Sequence, residues 1–163
     1  MIINIKNKYT LIIEDFKLKC CIGRSGSKKN KRESDGSTPK GIFSLGKLYW
    51  RPDRLDKPET KLNCKTINKK MGWCTDKTSK NYNKEITVPS KLKHEKLFRK
   101  DNKYDGLIVI KYNFIKTVKG LGSAIFIHIT KNYKPTAGCI AVSKKDFLIL
   151  ARIIKKNSKI LIN

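Results

Sequence analysis

No stretch of this chain is apolar for long enough to cross a bilayer. Its apolar runs are short, and a span needs roughly 18 uninterrupted apolar residues. The first residues, MIINIKNKYTLIIEDFKLKC, alternate polar and apolar positions. They lack the continuous apolar segment and small-residue cleavage site of a secretory signal, so the sequence names no export route. Histidine is scarce, with 2 in the chain, and no CxxC occurs, so no zinc pattern is met. No metal and no cofactor is expected. The 5 cysteines, Cys20, Cys21, Cys64, Cys74 and Cys139, are odd in number. At least one thiol therefore stays free unless it pairs with another chain. A disulfide framework is not expected in a domain this large, and Cys64–Cys74 is the one pairing left open. There is no internal repeat and no linker, so residues 1–163 read as one domain. A chain of this length buries about two-thirds of the surface its unfolded form exposes.

Acidic residues are also few. Against 13 Asp and Glu stand 38 Lys and Arg, for a formal net charge of +25. A balance this basic suits an anionic partner: nucleic acid, an anionic lipid surface or an acidic wall polymer. The lysines are dispersed and not gathered in one arm. Lys, Asn and Ile are abundant throughout, as AT-rich codons would produce. These features argue against a dedicated nucleic-acid module. Oligomeric state is not legible.

What is present reads as mainly β. Met1 to Ile22 suggests two strands around an Asn7-Lys8 turn. A polar loop from Gly23 to Lys40 carries Asp35-Gly36-Ser37-Thr38-Pro39, dense in turn formers. Gly41 to Trp50 reads as a strand. Arg51 to Tyr82 reads as long loops around one or two short strands, and such segments are usually functional or mobile. Glu85 to Val88 is a short strand. Pro89-Ser90 then opens an expected helix to Lys100, with Leu92, Leu97 and Phe98 as its apolar stripe. Tyr104 to Tyr112 and Ser123 to Ile129 are strong strand signals. Ser143 to Lys156 is the best helix: Ser143 and Asp146 resemble a capping box, and Phe147, Leu150, Ala151 and Ile154 recur at helical spacing. Ser158 to Asn163 closes the chain as a strand. The fold class is β-rich α+β with two helices.

The stretch IFIHITKNYKPTAGCIAV, Ile125 to Val142, carries the chemistry. It ends an apolar strand on His128 and sets Cys139 in a Thr-Ala-Gly-Cys turn. A thiol is a weak nucleophile until a base takes its proton, and His128 is the obvious base. The bland alternative is a core histidine near a buried cysteine. With the second helix beginning a few residues later, Cys139 is expected to see backbone N–H groups that favour thiolate. The N–H groups of Gly138 and Cys139 are candidates for an oxyanion hole. His94 sits in the expected helix beside Glu95, and adjacent helical positions do not share a face. Trp73 and Cys74 stand out in a loop where such residues are uncommon.

Taken in order, Asp35-Gly36-Ser37-Thr38-Pro39-Lys40-Gly41-Ile42-Phe43, Gly72-Trp73-Cys74, His94-Glu95-Lys96-Leu97, His128 and Pro135-Thr136-Ala137-Gly138-Cys139-Ile140 resemble the L,D-transpeptidase catalytic domain, or YkuD-like, family. The matches run from about Gly23 to Leu150. The resemblance implies a β-sandwich-like fold with its helices packed at the side and the nucleophile in a cleft. It implies acyl transfer on peptidoglycan stem peptides, with Cys139 as nucleophile and His128 as base. A backbone carbonyl would orient the histidine. The acyl-enzyme would pass to an amine, forming a cross-link, or to water, as in an L,D-carboxypeptidase. Such a function places the protein in the cell wall or periplasm. Two departures stand out. Better-known members read Ser/Thr-His-Gly-Cys where this chain has Thr136-Ala137-Gly138-Cys139, as in a branch with Ala there. They also often place Arg or Asn where this chain has Ala141. Thr136, Trp73, His94 and Tyr104 are candidates to supply the lost substrate contacts. The rival from another class is a non-catalytic basic module binding wall polymer or nucleic acid, with Cys139 inert.

Overall fold

The computed structural model describes residues 1–163. Three strands open the chain: β1 (Ile2–Asn7), β2 (Thr10–Ile13) and β3 (Phe16–Cys21). Two were expected. The extra reversal comes at Glu14-Asp15, where Glu14 takes φ 47°, a conformation that a short turn needs. There follow β4 (Ser27–Lys28), β5 (Thr38–Pro39), the long β6 (Gly41–Trp50), β7 (Cys64–Thr66), β8 (Met71–Cys74), β9 (Glu85–Thr87) and β10 (His94–Lys96). The chain ends with β11 (Gly106–Ile110), β12 (Phe126–Ile129), β13 (Ile140–Val142), α1 (Lys144–Ile153) and β14 (Lys159–Ile162).

The main sheet has 9 strands in the order β11-β12-β13-β3-β2-β1-β14-β6-β7. Strand β6 also pairs antiparallel with β11, from Gly106 opposite Trp50 to Ile110 opposite Leu45. Where two packed sheets were expected, the pairing closes into a barrel-like ring. The length of β6 makes this closure: Gly41–Ser44 pairs with β14, while Leu45–Trp50 pairs with β11. The ring encloses the larger core. Ile3, Ile5, Leu11 and Ile13 contribute from one side and Ile108, Ile127, Ile140 and Val142 from the other. Removing such aliphatic side chains from water is worth about 1.5–3 kcal/mol each.

The one helix, α1, covers this core with Phe147, Leu150 and Ala151. Ser143 caps it, its hydroxyl accepting from the Asp146 N–H at 3.0 Å. It stops at Ile153, short of the expected Lys156.

The helix expected over residues 89–100 does not form. His94–Lys96 instead pairs antiparallel with β8, His94 opposite Cys74 and Lys96 opposite Gly72. Flanking bonds run from Thr75 N to Lys93 O (2.9 Å) and from Leu97 N to Met71 O (3.1 Å). A short segment with three apolar residues is a marginal helix on its own, and pairing decides its conformation. Strands β10-β8-β9 form a small second sheet. Beneath it lies a second core of Tyr49, Met71, Trp73, Leu97, Tyr104, Leu107, Phe126 and Cys139. Strands β11 and β12 thus separate two cores.

Candidate active site

Strands β12 and β13 run parallel, with Ile127 opposite Ile140 and His128 opposite Ala141. Side chains alternate across a strand. Ile127, Ile129, Ile140 and Val142 therefore enter the barrel core. Phe126, His128, Cys139 and Ala141 take the opposite face. His128 and Cys139 become diagonal neighbours on adjacent strands, and both line one cleft of about 450 Å³. Neither is freely exposed: His128 is 4% and Cys139 8% accessible.

The turn bearing the thiol is fixed from three sides. The Thr136 hydroxyl donates to the Cys139 carbonyl at 2.6 Å and accepts from the Gly138 N–H at 3.1 Å. The Thr136 backbone is stitched to the end of the first meander, Thr136 N to Ile22 O and Arg24 N to Thr136 O, both 2.9 Å. Behind Gly138 lies the Asp35–Pro39 loop. Gly138 has φ +152°, and a Cβ there would lie 2.8 Å from the Ser37 carbonyl oxygen. Glycine is required at this position both for its conformation and for this approach. The loop is itself held by Asp35, whose carboxylate accepts from Arg32 N–H, Ser37 N–H, the Ser37 hydroxyl and Lys31 Nζ at 2.7–2.9 Å. Burial pushes the Asp35 carboxyl up, but these donors outweigh it and hold it below the ordinary carboxylate range.

His128 Nδ1 lies 2.8 Å from the Ile129 carbonyl oxygen. A carbonyl can only accept, so Nδ1 carries the proton and Nε2 is left as the basic nitrogen. The Tyr104 ring packs edge-on against the imidazole, centroids 5.3 Å apart. The Cys139 sulfur lies 3.2 Å from the Ala124 carbonyl oxygen, to which its S–H donates, and 3.4 Å from the Phe126 N–H.

Electrostatically, the resting pair is neutral. Burial, then the Glu95 carboxylate, push the Cys139 thiol up to about 12. The Phe126 N–H and Lys31 oppose this without cancelling it. Burial lowers His128 to about 4, and Lys103 and Arg99 add to the effect. The thiolate-favouring helix terminus expected at Cys139 is not there. Strand β13 intervenes before α1 begins, and the sulfur is enclosed by protein instead.

The other expected site residues divide. Thr136, Tyr104 and Gly138 line the cleft with Cys139 and His128. His94 does not. Adjacent strand residues point to opposite faces, so Glu95 turns into the cleft while His94 faces a separate hollow beside Val88 and Pro89. Its Nδ1 lies 2.6 Å from the Leu92 carbonyl oxygen. Trp73 is buried behind the site. Its ring packs edge-on against Phe126 at 5.1 Å, and its N–H donates to Asn83 at 2.9 Å. Trp73 thus supports the strand whose N–H meets the sulfur, and it does not line the cleft. Of the two oxyanion candidates, the Gly138 N–H is taken by Thr136. The Cys139 N–H has no protein acceptor.

Sequence reasoning passed over three cleft residues. Glu95 accepts from the Tyr104 hydroxyl beside the thiol. Glu33 accepts from Ser123 at 2.7 Å and from Tyr82. Lys31 is 3% exposed and paired with Asp35. For Glu95 the signal was strand parity, which the helix expectation hid. For Lys31 it was a cation four residues before Asp35, the acid that opens the turn-forming Asp35–Pro39 stretch. Arg24, Arg99, Lys103, Lys131 and Lys134 make the remaining rim strongly cationic.

Residues 1–162 match the model of a known family, YkuD, the L,D-transpeptidase catalytic domain. No curated protein and no solved structure matches.

Proposed function

Because the chain belongs to the L,D-transpeptidase catalytic domain family, we propose that it is a cysteine acyltransferase acting on peptidoglycan stem peptides, with Cys139 as nucleophile and His128 as general base. The observation that carries this is the placement of both side chains on one face of two parallel strands, in one cleft, with His128 Nε2 left basic.

Burial raises the thiol and lowers the imidazole, so the resting pair is neutral and the thiol must give its proton to His128 for sulfur to attack. Nε2 takes the thiol proton as sulfur bonds to the carbonyl carbon of the donor peptide. The Cys139 N–H, free of other acceptors, meets the developing oxyanion. When the tetrahedral centre collapses, the C–N bond breaks and the imidazolium returns its proton to the departing D-amino acid. An acceptor amine then attacks the thioester, with His128 again taking a proton, and the thiol is regenerated. Tyr104 and the Ile129 carbonyl hold the imidazole through both halves. The cationic rim raises the local concentration of a carboxylate-bearing donor.

Hydrolysis of the same acyl-enzyme is the second outcome of this chemistry. A stem tetrapeptide incubated with and without an acceptor amine separates the two. Transpeptidation predicts D-amino acid release together with an acceptor adduct. Release with no adduct at saturating amine assigns an L,D-carboxypeptidase. No release at all overturns both.

A further inference from the structure

We propose that Lys31 is a catalytic residue of this site, its ammonium donating a hydrogen bond to the oxygen of the carbonyl under attack. The inference rests on the acyl-transfer function proposed above.

Four observations lead there. First, Lys31 is 3% exposed, where lysine is almost never found unless it is paired, and its Asp35 partner lies on the loop behind the nucleophile turn. Second, its Nζ borders the nucleophile turn: a Cβ on Gly138 would lie 3.6 Å from it. Both residues line the thiol cleft. Third, an ammonium has three donors. Lys31 gives one to Asp35 at 2.9 Å and one to the Arg32 carbonyl at 3.2 Å. One N–H is left without a protein acceptor. Fourth, of the two N–H groups expected to form an oxyanion hole, the nucleophile turn leaves only that of Cys139 as a free donor. The Gly138 N–H is committed to Thr136, and positions 137 and 141 are both alanine. Its positive charge also opposes the rise of the thiol pKa.

The surroundings explain how the charge is kept there. Asp35 compensates it and is itself saturated with four donors, so the pair is held on the loop and not in solvent. Gly122 gives the stem room, since a Cβ there would meet Lys31 Cε at 2.9 Å. In the reaction, sulfur bonds to the carbonyl carbon and the π pair moves onto oxygen. Lys31 and the Cys139 N–H stabilise that oxygen until the C=O re-forms and the C–N bond breaks. Lys31 keeps its proton throughout.

The test compares two reactions of the same sulfur. Acylation by a carbapenem passes through an oxyanion, whereas alkylation by iodoacetamide does not. Lys31→Met removes the ammonium and keeps the stem. Losing one oxyanion donor should slow acylation on the order of 100-fold, with alkylation of Cys139 changed far less. Because this variant leaves Asp35 unpaired, Lys31→Met/Asp35→Asn is made alongside it, and the rates are read on whichever unfolds cooperatively. Acylation within a few-fold of the parent, or a loss of alkylation equal to the loss of acylation, would overturn the inference. A parent protein that forms no adduct would instead overturn the function on which it rests.

Discussion

His128 gives a stability prediction whose sign and size follow from its burial. Burial lowers its folded pKa to about 4 from the ordinary histidine value of 6.5. Between those values the unfolded chain binds a proton that the folded protein refuses. The unfolded state therefore gains as pH falls, and stability present above pH 6.5 is lost on the way down to pH 4. From this one group the loss is about 1 kcal/mol at pH 5.5, about 2 at pH 5 and about 3 by pH 4. Carboxylates titrate in the same range, so the effect must be isolated. His128→Gln keeps a neutral donor near the Ile129 carbonyl and does not titrate. Urea unfolding of both proteins at pH 7.5 and pH 5.5 gives two stability differences. The parent's advantage over the variant should shrink by about 1 kcal/mol on acidification. A difference that stays constant with pH would mean that His128 titrates normally when folded. The enclosed neutral imidazole would then be wrong.

Other consequences are as direct. Gly138→Ala forces a side chain into φ +152° and against the Ser37 carbonyl oxygen. It should cost at least about 2 kcal/mol and lower Tm by about 4–8 °C in scanning calorimetry; an unchanged Tm would show that the turn relaxes freely. Glu95→Gln removes the carboxylate that helps hold the thiol protonated. Alkylation of Cys139 at pH 8, followed by peptide mass, should accelerate by about 3- to 10-fold, since one pKa unit is tenfold in thiolate. A slower or unchanged rate would remove Glu95 from the account.

Much of the strand pattern was legible because short apolar runs bounded by turn residues mark strands. Gly41–Trp50, Gly106–Ile110 and Phe126–Ile129 are rich in β-branched and apolar residues, and pairing confirms them as strands. Helix α1 was legible from its Ser143 cap and apolar stripe. Residues 89–100 misled because an apolar spacing compatible with a helix carries no information about a waiting edge at Gly72–Cys74. That error also hid Glu95, while His94 was put at the site by the resemblance; strand parity sends the two to opposite faces. Closure of the barrel was not legible either: it depends on β6 changing partners midway, which no local pattern encodes. Cys139 and His128 were legible as a pair, while their protonation was not. Local sequence suggested exposure to a helix terminus, whereas three-dimensional burial and Glu95 set the thiol. Lys31 reads as one lysine among many until Asp35 and Gly138 are seen around it.

The claim on which the rest depends is that Cys139 is the sulfur acylated. Intact mass after incubation with a carbapenem, followed by peptide mapping, tests it directly. One adduct is expected on the parent, mapped to Cys139, and none on a folded Cys139→Ala variant. An adduct that persists in Cys139→Ala, or maps to Cys20, Cys21, Cys64 or Cys74, would contradict it.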